Sequence, residues 1–407
     1  MSFWLYIAYS FLIVTHIFSG LNYNVGSIIR ILPYFIFCLL LVVLGEMIGV
    51  KIKSSNTKTI PVNLTTLNLI SIFGSAIRVF DLFRMNEITF GLRIEDQSAS
   101  FIGVLGNVLA SLGIIAWLTS LYGNRMNGIK IPLLSYFSIL AYVLGGIFTA
   151  GRQSIIMISI ATLILFIWCN KKNKEIIKKN PEYIINKKET PWGMILIAFI
   201  FLCYFFFISA VRSQIFKFND KVIMLEKFFN AKVSDEALNQ AYKIEPFSDI
   251  YLESLFYYSH ELIRLDLYFQ YYDYPPLLGL EQLTYLERRV QWLFGKQGDK
   301  SWKEVERSVE GQGKFSIHTW GTFITDYIAD FGRLGTLFAC FITGFISGIF
   351  YRKFKDNETP LSIVRLCLIC TGIVFSIQYS PFIELGWAFP LVLISFIKIV
   401  PPKIQLG

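Results

Sequence analysis

Three things are missing from this 407-residue chain, and each absence excludes a class of protein. Its longest polar segment, residues 212–320, contains no cysteine. All six cysteines (Cys38, Cys169, Cys203, Cys340, Cys367, Cys370) lie within or at the ends of apolar runs, so no disulfide framework is built here. Cys367 and Cys370 form a C-x-x-C on one apolar run, where they read as small apolar filler. Ionisable residues deep inside the apolar runs are also lacking. Glu46 and Arg78 sit near run ends, and that placement argues against a transporter, which needs charge along a path through the bilayer. Finally, the first run, Phe3 to Phe18, has no basic flank before it and no small-residue cleavage site after it. It reads as a retained helix rather than a signal peptide.

What is present is apolar length. The chain is 54% hydrophobic with a mean hydropathy of +0.52, too apolar for a soluble multidomain enzyme. Stretches of about 17–20 nearly uncharged residues recur, each long enough to cross a hydrocarbon core of about 30 Å. The pattern predicts an all-α polytopic integral membrane protein with about ten spans: 3–20, 31–50, 61–80, 101–121, 131–149, 153–169, 191–211, 331–351, 361–378 and 382–400. Loops 51–60, 122–131, 170–190 and 352–360 hold fifteen basic residues, which makes them cytoplasmic and both termini cytoplasmic with them. The predicted organisation is an N-terminal bundle of about seven spans (1–211), one large external segment (212–320) and about three C-terminal spans (321–407). The external segment carries 14 basic and 16 acidic residues and is near neutrality. The net charge of +9 follows from topology and gives no reason to expect a nucleic-acid partner.

The two basic residue types divide between the faces. Most lysines are cytoplasmic, whereas Arg30, Arg84, Arg93, Arg152, Arg212, Arg264, Arg288, Arg289, Arg307 and Arg333 are external and Arg78 lies near the outer end of its span. Lysine suffices for orientation, while the planar guanidinium grips phosphate or carboxylate with two parallel hydrogen bonds. An anion-holding outer face follows, against the plainer alternative that these arginines pair with acids such as Asp81, Glu87, Glu95 and Asp96.

The external segment supplies further candidates. Residues 248–272 are aromatic-rich and charged throughout, and read as a helix at the membrane interface. On it Glu253, Tyr257, His260 and Arg264 fall at i, i+4, i+7 and i+11, which forms one stripe. That stripe fits a sugar-phosphate and equally fits a hydrated face with local ion pairs. A second amphipathic helix carries Arg288 and Arg289. Before and into the eighth span come His318, Thr319, Thr322, Asp326 and Asp330; the two aspartates, four apart, share a helix face at the outer boundary. The alternative for Asp330 is a capping role at an ordinary turn.

The segments Thr149-Ala-Gly-Arg-Gln-Ser154, Tyr274-Pro-Pro-Leu-Leu-Gly279 and Thr319 to Gly335, with the basic exit Tyr351-Arg-Lys, resemble Wzy-type oligosaccharide repeat-unit polymerases of bacterial surface polysaccharide synthesis. The resemblance implies a GT-C-like fold in the bacterial inner membrane. It also implies metal-independent, inverting glycosyl transfer without a cofactor from an undecaprenyl-pyrophosphate-linked oligosaccharide. Membrane lipid, a chain-length regulator and a flippase are the implied partners. Pyrophosphate is already a good leaving group, so cations rather than an acid must meet its developing charge. The candidates are Arg152, Arg212, Arg264, Arg288, Arg289 and Arg78. The acceptor hydroxyl needs a proton acceptor, drawn from His318, Asp326, Asp330, Glu253, His260 and Glu261. A lipid-linked glycan ligase uses similar chemistry and stays open as an alternative; a flippase is the alternative of another class.

Overall fold

A computed structural model of the chain describes residues 2–52, 59–84, 100–148, 152–179, 218–245, 248–273, 275–279, 309, 311–312, 321–378, 380 and 385–400. Five helices in it are long and apolar enough to cross a membrane: Ile28–Gly49, Leu64–Arg84, Phe101–Asn127, Ser154–Lys179 and Phe323–Asp356. Shorter apolar helices cover Ser2–Phe18, Leu133–Gly146 and Pro360–Phe375. The architecture is that of an all-helical membrane protein. The predicted run 191–211 lies outside the described residues. The chain forms two compact units, one comprising 1–53, 213–352 and 372–384, the other 54–212, 353–371 and 385–407.

In the first unit, α1 (Ser2–Phe18) leads through β1 (Leu21–Tyr23) to α2 (Ile28–Gly49). After α8 (Phe218–Phe229), β3 (Ala231–Val233) pairs antiparallel with β1, Leu21 opposite Val233. Asn230, with a left-handed φ of 49°, turns the chain into that strand. The helix α9 (Asp235–Lys243) starts where the Ser234 hydroxyl accepts from the Ala237 N–H, with Asp235 and Glu236 in its first turn to favour the helix dipole. Next come α10 (Ser248–Ser259), α11 (Glu261–Tyr271) and the long α12 (Phe323–Asp356). Their shared core includes Leu12, Ile31, Phe35, Leu262, Leu265 and Ile328, all fully buried.

The crossing of α2 and α12 is made by glycine. Gly45 and Gly49 lie against the backbone at Phe341 and Phe345, while Gly344 and Gly348 lie against the carbonyls of Val42 and Glu46, with no room for a Cβ at any of the four. Two G-x-x-x-G segments thus meet backbone to backbone, the packing that apolar helices adopt where lipid gives no hydrophobic drive to associate.

The second unit is a bundle of α3 (Leu64–Arg84), α4 (Phe101–Ala110), α5 (Leu112–Asn127), α6 (Leu133–Phe148) and α7 (Arg152–Lys179). Gly74 meets the backbone of Leu109 and Ala110, and Gly106 meets that of Arg78. Interhelical hydrogen bonds from Asn68 to Ser135 (3.0 Å), between Ser120 and Ser135 (2.8 Å) and from Ser71 to the Ala110 carbonyl (2.7 Å) tie it together. A reciprocal box between Thr359 and Ser362 starts α13 (Pro360–Phe375), with Pro360 at the first helical position.

Two readings from sequence need correcting. The run 382–400 is not one continuous helix: α14 (Leu385–Leu393) has nine residues with Pro390 inside it, and β4 (Ile397–Val400) pairs in parallel with β2 (Ile60–Asn63). Proline removes a helix hydrogen bond, and β-branched Ile397, Ile399 and Val400 favour the extended chain. The aromatic stretch 248–272 is likewise two helices, separated at His260. Every residue from Glu261 to Tyr268 is buried, so α11 is a core helix rather than an interfacial one.

Candidate functional site

The break between α10 and α11 brings four of the candidate residues together. The His260 Nδ1 lies 2.8 Å from the Phe256 carbonyl, which can only accept, so Nδ1 carries a proton. The ring stacks on Phe256, with centroids 4.6 Å apart. Nε2 points toward Oε1 of Glu261 at 3.7 Å, beyond hydrogen-bonding distance. Glu261 has 0% exposure, and both its carboxyl oxygens are buried without a hydrogen-bond partner. Burial pushes its carboxyl well above the usual carboxylate range; Arg264 draws it back down and Asp326 pushes it further up.

Arg264, one turn along α11, is buried with its guanidinium 5.4 Å from the ring of Tyr268 and an Nη2–H directed to that phenol at 3.4 Å. Tyr9 from α1 and Tyr23 from β1 also lie within electrostatic reach of Glu261. Burial raises the Tyr23 phenol, its hydrogen bond with the Ser259 hydroxyl (2.7 Å) lowers it, and Glu261 raises it again. From α12, Asp326 accepts the backbone N–H of Ser380 at 2.7 Å on its Oδ2. The cluster therefore draws on α1, β1, α11 and α12.

Asp330, one turn beyond Asp326, is fully buried at the break in α12. Gly332 there has φ 67° and ψ 173°, a conformation open to glycine. The break frees carbonyls of the preceding turn. The Leu277 N–H takes Ala329 O (3.1 Å), the Leu278 N–H takes Asp330 O (2.8 Å), and the Gly279 N–H takes Asp330 Oδ1 (3.0 Å). Tyr272 donates its hydroxyl to Ala329 O at 2.7 Å. The Pro-Pro-Leu-Leu-Gly segment and the Asp-Phe-Gly segment are therefore neighbours. Beside them an apolar groove of about 470 Å³ runs along α12 between Pro276, Leu278, Phe331 and Phe338.

Three of the arginines expected on the outer face have structural partners. Arg30 binds Asp266 through two nitrogens (3.1 and 2.9 Å), and that carboxylate also accepts the Ser27 N–H (2.7 Å) and so holds the start of α2. Arg84 pairs with Asp81 at 2.7 Å. Arg333 closes the C-terminal end of α11, donating to the carbonyls of Phe269 (2.5 Å), Gln270 (3.0 Å) and Tyr272 (3.1 Å). For these three, pairing is what the structure shows, not an open anion site.

Arg78 belongs to the second unit, where its side chain lies along Gly145 and its Nη1 is buried without a hydrogen-bond partner. Arg152 opens α7 and Glu253 lies on α10, but both side chains lie outside the described residues, as do His318, Arg212, Arg288 and Arg289 entirely. Among the described residues, no group of three or more His, Cys, Asp or Glu is placed to hold a metal. Sequence reasoning missed the approach of Tyr9, Tyr23 and Ser380 to the cluster, because nothing local relates positions so far apart in the chain. Comparison with known proteins finds no matching family model, no matching curated protein and no matching solved structure.

Proposed function

We propose that this chain polymerises oligosaccharide repeat units carried on undecaprenyl pyrophosphate, by inverting glycosyl transfer at the outer face of a bacterial inner membrane. On this reading the chain has about ten spans in a GT-C-like arrangement and both termini in the cytoplasm, and the product is O-antigen or capsule. The observation that carries the reading is the buried grouping of His260, Glu261, Arg264 and Asp326. It holds proton acceptors and a cation within one core, beside two of the three segments on which the resemblance rests. A cation can meet the charge that develops on a departing pyrophosphate, and a carboxylate can receive the acceptor's proton. Arg264 is the cation of this grouping for the first role; Arg152, Arg212, Arg288, Arg289 and Arg78 are the other sequence candidates.

A ligase that moves finished glycan to another acceptor would use the same chemistry, and a flippase would use none of it. Gel analysis of surface glycan in a deletion strain separates the three. A single repeat unit on lipid is the expected result. Loss of all surface attachment would mean a ligase, and cytoplasmic retention of the lipid-linked unit would mean a flippase.

A further inference from the structure

Among the described candidates for the proton acceptor, Glu261 is set apart by its unpaired carboxyl. Buried polar atoms in folded proteins are nearly all hydrogen-bonded, so an exception calls for an explanation. Here both oxygens of a fully buried carboxyl are exceptions at once. The other described acids of the pool have backbone partners: Asp326 holds the Ser380 N–H through Oδ2, and Asp330 holds the Gly279 N–H through Oδ1. Those bonds fix the positions of neighbouring loops and leave these carboxylates committed to the fold. His260 donates from Nδ1 to the Phe256 carbonyl, and its Nε2 lies 3.7 Å from Glu261 Oε1.

Resting on the glycosyl-transfer reading above, we propose that Glu261 is the catalytic residue that takes the proton from the acceptor hydroxyl. In the step, the acceptor O–H bond breaks and its proton passes to a Glu261 oxygen. The hydroxyl oxygen forms the new bond to the anomeric carbon of the donor. The bond from that carbon to the phosphate oxygen breaks, and its electron pair leaves on the polyprenyl pyrophosphate. The proton on Glu261 returns to water once the products depart. Among the described residues, the titratable groups within reach of this carboxyl are His260 and Arg264, Asp326 from α12, Tyr9 from α1 and Tyr23 from β1. The Arg264 cation favours the ionised form and the Asp326 anion opposes it. Turnover therefore rises with pH as Glu261 loses its proton, and the rising limb reports this residue in its surroundings.

The test uses the purified full-length chain in proteoliposomes, with lipid-pyrophosphate-linked repeat units as substrate, across a pH series. E261Q is expected to lower kcat by about 10²- to 10⁴-fold with KM changed by less than about twofold, as removal of a group needed only in the transition state demands. D326N keeps an oxygen for the Ser380 N–H but removes the anion, so it should displace the rising limb to lower pH. An E261Q kcat within about threefold of wild type would overturn the assignment. So would a D326N limb that does not move, or a D326N variant with no turnover at all. Should E261Q fail to give a cooperative melt, the D326N limb decides alone. A wild-type chain that makes no polymer would instead sink the parent reading, and this inference with it.

Discussion

Replacing Arg333 separates a structural arginine from one that binds substrate. Its three hydrogen bonds all end on carbonyls of the last turn of α11 and the residue beyond it. Of those, Tyr272 is buried, whereas Phe269 and Gln270 are partly exposed. Leaving a buried acceptor unpaired costs about 1–3 kcal/mol, while acceptors that water can reach cost about 0.5–1 kcal/mol each. The sum for R333M is about 3 kcal/mol. R333K keeps the charge but loses the planar fork that spans the three carbonyls, so its cost should be about 2 kcal/mol. Denaturant unfolding of the purified full-length chain in detergent micelles, with Arg333→Met and Arg333→Lys beside wild type, reads both values. KM for the lipid-linked substrate should change little in either variant that stays folded. Two variants each within about 0.5 kcal/mol of wild type would show that the carbonyls do not need this guanidinium. A normal stability with a KM raised tenfold would return Arg333 to the list of anion-binding residues.

Other consequences follow from the same geometry. Gly344→Leu drives a side chain into the Val42 carbonyl and should cost at least about 1–3 kcal/mol, whereas I346L on the exposed side of the same helix should be neutral in the same unfolding assay. Asp330→Asn keeps an oxygen for the Gly279 N–H and should protect that amide normally; Asp330→Ala should speed its hydrogen exchange, and equal rates would refute the contact. The raised Glu261 carboxyl also makes a signed prediction. Below the unfolded value of about 4.3 both states hold the proton; above it the folded state alone does, and stability is lost as pH rises toward the folded value. Melting of wild type should therefore fall relative to E261Q across that window, and parallel curves would contradict the burial.

Much of the scaffold is legible in the sequence because crossing a bilayer needs length and apolarity, both of which are local. Runs such as 31–50, 61–80 and 331–351 emerge as helices at nearly those positions. What fails to show is anything decided by contact. The 382–400 run is as apolar as the others, but Pro390 and a strand partner at Ile60–Asn63 divide it. The helical stripe through Glu253, Tyr257, His260 and Arg264 assumes one continuous helix, which the break at His260 interrupts. The expected outward bias of arginine reads as an anion-holding face, but Arg333 answers to helix carbonyls and Arg30 to Asp266. Glycines 45, 49, 344 and 348 show no meaning until α2 and α12 are seen to cross. The candidate acids and His260 can be picked out by type. Their convergence on Glu261 needs the fold, because Tyr9, Tyr23 and Asp326 all lie far from it along the chain.

The central claim is that this chain lengthens a lipid-linked glycan. Proteoliposomes holding only the purified full-length chain, supplied with one defined undecaprenyl-pyrophosphate-linked repeat unit, test it most directly. The account predicts a ladder of products that differ by one repeat unit, with free undecaprenyl pyrophosphate released at each addition. Starting material left unextended, with no pyrophosphate lipid released, would contradict it.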